Sequence, residues 1–67
     1  MNQEELLEGA LEEIKTLRGF LGEAYRQHNH DDLIGGTLLS SANLFAKALE
    51  EAVFTLLLHF KSKGKNE

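Results

Sequence analysis

The residues of this 67-residue chain best equipped for chemistry are three histidines, the acids beside two of them, two adjacent serines, and arginines interleaved with glycines. His28, His30, Asp31 and Asp32 are of the types that ligate metals. Residues two apart on a helix do not share a face, so His28 and His30 can chelate together only in an extended or turn conformation. No third strong ligand stands at a recognisable spacing, and a chain reversal with an Asp cap accounts for all four residues. No metal site is expected. Ser40 and Ser41 lack a Gly-x-Ser-x-Gly elbow and an adjacent base, and the chain contains no Cys nucleophile. Gly35-Gly36 lacks the Lys-Ser/Thr that follows in a P-loop. The carboxylate pairs Glu12-Glu13 and Glu50-Glu51 fall on the polar side, where solvation explains them. The expectation is a non-enzyme with no catalytic residues and no cofactor.

Binding chemistry is better represented. Gly9, Gly19 and Gly22 lie inside a helical stretch, where each costs about 1 kcal/mol relative to Ala. One reason to keep Gly19 and Gly22 is close approach of a backbone or a flat ligand, with Arg18, Tyr25 and Arg26 on the adjacent ridge to hold charge and stack. The other reading is a long helix that tolerates them while Arg18 and Arg26 pair with nearby acids. Seven Lys and Arg against eleven Asp and Glu give a net charge of −4, which argues against binding DNA or RNA backbones. A small anionic ligand in a local pocket remains compatible with that balance.

Two elements must position these residues. From Asn2 to about Gln27, Leu7, Ala10, Ile14, Leu17, Leu21, Ala24 and His28 recur at alternating spacings of three and four, the mark of one helical stripe, with Leu6, Leu11 and Tyr25 widening it. Glu5, Glu8, Glu12, Lys15, Gly19, Glu23 and Arg26 form the solvated side. The apolar rhythm then breaks at residues 28–36, where the reversal is expected. A second helix follows, starting between 31 and 37 and assigned to about 37–61, with 62–67 as a tail. Asp31, Asp32, Thr37 and Ser40 are the available caps. Its heptad-spaced seam is Leu39, Ala42, Ala46, Leu49, Val53, Leu56 and Phe60. Early acids and late lysines complement the helix dipoles and would meet in an antiparallel hairpin. Residues 1–67 therefore read as one helical-hairpin domain.

A chain of this size rarely gains more than about 3–5 kcal/mol from its own core, and without Cys it has no disulfides or thiolate metal sites. Self-association is the remaining common route to stability. Between Val53 and Phe60 only Thr55 and His59 interrupt an apolar run, so this helix calls for more than one neighbour. Leu49, Val53, Phe54, Leu57, Leu58 and Phe60 are the expected oligomer interface, although Phe20, Phe54 and Leu58 also suit isolated surface positions or a protein partner. The longest apolar stretch falls short of the ~20 residues that span a bilayer. No basic-then-apolar leader opens the sequence, so a cytoplasmic location is expected.

Glu13-Ile14-Lys15-x-Leu17 with Leu21-Gly22, and Ala48-Leu49-x-x-Ala52-Val53 further on, resembles the small helical phage sponge proteins that block cyclic-oligonucleotide immune signalling. The likeness covers about the middle two thirds of the chain. It implies a homo-oligomer, typically a hexamer, that sequesters cyclic nucleotides between subunits without cleaving them, in host cytoplasm. Ile34 and Glu51 depart from the pattern, standing where an aromatic and an Arg belong. The ligand-contact residues that survive the comparison are Arg18, Gly22, Tyr25 and Arg26, with Lys47 as a phosphate contact. The fold class expected is all-α, an antiparallel two-helix hairpin assembling into a homo-oligomeric bundle. Its expected function is anti-defence ligand sequestration. The alternatives are a hairpin regulator that inhibits a host protein, or a structural assembly subunit.

Overall fold

The computed structural model describes residues 2–65 and consists of two helices packed against each other, α1 (Gln3–Gln27) and α2 (Leu33–Lys65). Asn2 starts α1: its side-chain oxygen accepts from the Glu5 amide at 2.8 Å, and Glu4 and Glu5 place negative charge at the positive end of the helix. At the other end His28 turns extended, and both its amide and its imidazole Nδ1 donate to the Tyr25 carbonyl. That contact satisfies a carbonyl at the end of α1.

The reversal takes only residues 28–32. Asn29 Oδ1 accepts from the Asp31 amide at 3.0 Å, and the Asn29 carbonyl accepts from the Asp32 amide at 2.9 Å. Asp32 then caps α2 through Oδ1, which accepts from the Gly35 amide at 2.9 Å. The second helix thus begins at Leu33, inside the expected window of 31–37 and four residues before the start assigned at about 37. Gly35-Gly36 belongs to its first turns, and not to the reversal.

Among the described residues no positive φ occurs, so these glycines serve closeness and not a left-handed turn. A Cβ on Gly35 would stand 2.2 Å from Asp32 Oδ2, and one on Gly36 would stand 2.8 Å from His28 Nε2. α2 also continues through Lys65, past the expected end at Lys61, as no proline interrupts it. Of the expected tail, residues 62–65 are helical, while Asn66 and Glu67 lie outside the described residues, as does Met1.

The interior is small. Leu11, Ile14, Ala46 and Leu57 are the buried apolar residues, flanked by half-buried Leu7, Ala10, Leu21, Leu39, Ala42, Val53 and Phe60. The seam therefore runs one register away from the expected one in its second half. Leu49 and Leu56 are exposed, and Glu50 and Leu57 take their places facing α1. On α1, Leu17 and Ala24 fall outside the seam while Leu11 lies inside it.

This register brings Arg18 on α1 and Glu50 on α2 together as an inward polar pair. A seam advancing by three or four residues accommodates either register, and only the observed one makes that pair. The expected oligomer interface is redistributed accordingly. Val53, Leu57 and Phe60 pack within the hairpin, whereas Leu49, Phe54 and Leu58 remain exposed.

Candidate functional site

The antiparallel pairing creates a polar groove along one side of the hairpin, lined by Lys15, Arg18, Gly19, Asn43 and Glu50 and enclosing about 310 Å³. Arg18 Nη1 donates to Glu50 Oε1 at 2.5 Å across it, with both side chains partly buried. Lys15 stands near Glu12 at 4.0 Å. Arg18 Nε, a donor, and Asn43 Oδ1, an acceptor, are buried in this groove without hydrogen-bond partners. Space beside it is open: a Cβ added at Gly19 or Gly22 would meet nothing within 4 Å.

Beyond Gly22 the ridge continues to Arg26, which is exposed and pairs with Glu23. Gln27 Nε2 donates to the same carboxylate at 2.8 Å. The Gln27 hydrogen bond, followed by the Arg26 charge and its hydrogen bond, holds the Glu23 carboxyl below its ordinary pKa.

A second recess, of about 380 Å³, occupies the closed end of the hairpin, between Tyr25, His28, His30 and Asp32 on one wall and Gly36, Thr37, Ser40 and Ser41 on the other. The rings of Tyr25 and His28 lie 5.0 Å apart, and those of His28 and His30 lie 5.5 Å apart. His28 Nδ1 donates to a carbonyl, so Nε2 is the ring atom that packs over Gly36.

The fold thus brings serines and histidines to one recess, a meeting that sequence spacing does not reveal. No hydroxyl–imidazole hydrogen bond links them, however, and Asp32 is occupied as the cap of α2. Nothing activates Ser40 or Ser41 as a nucleophile in this arrangement. Among the described residues no three His, Asp or Glu side chains converge in a way that could hold a metal ion.

The five residues expected to contact a ligand are divided between these features. Arg18 lines the groove and Tyr25 the end recess. Gly22 and Arg26 lie on the ridge that joins them, and Lys47 stands exposed on α2. One hairpin does not gather them into a single cavity.

Sequence reasoning missed Asn43 and Glu50, whose signal was polarity at positions adjoining the α2 seam. It weighs Thr37 and Ser40 as caps and Ser40 and Ser41 as nucleophiles, but does not bring them to one recess with the histidines, because that meeting depends on the pairing of the two helices. No described helix is long and apolar enough to cross a membrane. Comparison with protein-family models, curated proteins and solved structures finds no match to this chain.

Proposed function

We propose that this chain is a non-enzymatic binding protein that works as a homo-oligomer and sequesters a small anionic ligand of the nucleotide type. The observation that carries this reading is the groove side of the hairpin. There Arg18 and Lys15 adjoin open space at Gly19 and Gly22, with Arg26 one turn further along. Guanidinium groups bind phosphates through paired N–H donors, and a glycine ridge lets a flat base approach the backbone.

Because the five candidate residues do not share one cavity, the pocket is completed by a neighbouring copy in the assembly. Glu50 occupies Arg18 in the free protein, so a phosphate must displace it. The resemblance to phage sponge proteins supports the same assignment, an anti-defence protein acting in the cytoplasm of an infected host.

Native mass spectrometry of the untagged protein against a panel of cyclic di- and trinucleotides tests this reading. Discrete ligand masses on an oligomer are expected, lost in Arg18→Ala and Arg26→Ala while the oligomer persists. Glu50→Gln should bind more tightly than the parent, because it frees Arg18. Unchanged affinity in both arginine variants would rule the site out.

A second reading, a regulator that docks on a host protein, is favoured by one observation. Phe54 and Leu58 remain about half exposed beside Lys47, Glu51 and Lys61. If the ligand panel is ignored and Phe54→Ala abolishes capture of a host protein by the parent, this second reading replaces the first.

A further inference from the structure

The side of the hairpin opposite the polar groove is apolar along its length. On α2, Ile34, Leu38, Phe45, Leu49, Ala52 and Leu56 are all exposed and follow one another at intervals of three, four or seven residues, with Ser41 in the longest interval. From Ile34 to His59 this stripe contains no Asp, Glu, Lys or Arg: Lys47 and Glu50 fall on the other flank of the helix, and Glu51 borders the stripe beside Ala52, Leu56 and His59. On α1, Leu6, Ala10, Leu17, Phe20 and Ala24 form a matching stripe in which Glu13 is the one charge.

In an antiparallel helix pair the same flank of each helix meets on one side of the pair. The polar groove shows this for the opposite flanks, where Lys15 and Arg18 of α1 join Asn43 and Glu50 of α2. The two apolar stripes consequently form a single face. Its eight large side chains leave on the order of 900 Å² of surface exposed, against ~300–600 Å² for the largest patch of an ordinary monomer.

We propose that a second copy of this chain covers the face, two hairpins closing apolar side to apolar side into a four-helix bundle. Four observations select that occupant. The area matches the ~800 Å² that each partner contributes to a standard stable interface. The alternation of three and four in both stripes is the spacing that packs against another helix. Most charge is held on the far side, so copies of net charge −4 approach with only the carboxylates of Glu13, within the face, and Glu51, at its edge, to accommodate.

The chain is also short of interior. It exposes 5304 Å², where a compact chain of its 7.5 kDa mass exposes about 4,250 Å². A face-to-face pair removes this deficit for both copies at once. The inference rests on the homo-oligomer part of the proposed function and is independent of any ligand. It also moves the self-interface away from Phe54 and Leu58, which lie on the charged flank.

The chain has no cysteine of its own, so single introduced thiols report cleanly on the face. Ala52→Cys should react with a maleimide at least about tenfold more slowly than Lys47→Cys when concentrated, and dilution should abolish the difference. Light scattering on the same samples should show at least a dimer when concentrated. Phe45→Glu should reduce it to a monomer, while Phe54→Glu should leave the assembly unchanged.

The mild Ala52→Cys variant keeps the test decisive if Phe45→Glu fails to fold. A parent chain that is monomeric when concentrated, or equal thiol reactivity at positions 47 and 52, would overturn the proposal. An assembly that ignores every nucleotide would leave this interface standing and remove the ligand reading. A monomer that binds nucleotide would do the reverse.

Discussion

The Arg18 guanidinium reaches across the hairpin to the Glu50 carboxylate at 2.5 Å, and among the described residues it is the ion pair that joins the two helices. Lone apolar contacts would allow the seam to slide between Leu49 and Glu50. A charged pair that is partly dehydrated does not, because either partner left alone keeps its desolvation cost without its compensation.

Replacing Arg18 by Ala should therefore cost about 1 kcal/mol, a figure discounted for the roughly one-third exposure of its side chain. Arg18→Met combined with Glu50→Leu should recover most of that loss. A double-mutant cycle by urea denaturation at fixed protein concentration measures the coupling. Strictly additive losses would show that the pair does not set the register.

The glycines separate into two classes with opposite expected effects. Gly9→Ala, Gly19→Ala and Gly22→Ala place a methyl in open space and should each stabilise the hairpin by roughly 0.5–1 kcal/mol. Gly35→Ala forces the Asp32 carboxylate out of its capping position and should destabilise instead, despite the better helix former. Thermal melts of the four variants give the comparison, and a Gly19→Ala or Gly22→Ala protein that gains stability but loses ligand would mark the glycine ridge as a binding surface.

Asp32→Ala removes the side-chain acceptor from the start of α2 and should cost about 1 kcal/mol. Asp32→Asn should retain most of the cap. The loss should be local, so amide hydrogen exchange ought to accelerate at Gly35 and its neighbours before it changes at Ala46.

The Glu23 carboxyl is held below its ordinary 4.5 by the Gln27 hydrogen bond and then by Arg26. A depressed carboxylate contributes stability that is present above its unfolded pKa and is lost as pH falls through the folded value. The last turn of α1 should therefore loosen in acid, below the range where unperturbed glutamates titrate. Carboxyl-carbon NMR titration should find Glu23 below the ordinary glutamate value, and Gln27→Ala or Arg26→Ala should raise it.

Both helices were legible in the sequence because apolar residues recur at helical spacing through a chain with no proline. The start of α2 was legible only to within residues 31–37, because Asp31, Asp32, Thr37 and Ser40 all offer caps, and the choice of Asp32 shows only in its contact with the Gly35 amide. By hydropathy alone Leu49 and Leu56 are better seam residues than Glu50, since hydropathy does not register a partner such as Arg18 thirty-two residues away. Arg18 was recognisable as a binding candidate. The groove it lines was not, as half of that groove comes from α2.

Four buried side chains among the described residues leave little free energy between folded and unfolded forms of a lone hairpin. If copies complete each other's interior, folding becomes a bimolecular event whose extent follows total concentration. Scarce protein would then be open to proteases and abundant protein protected. Cellular dose would set a threshold below which this chain is removed and above which it persists, and its melting temperature would climb with each dilution step reversed.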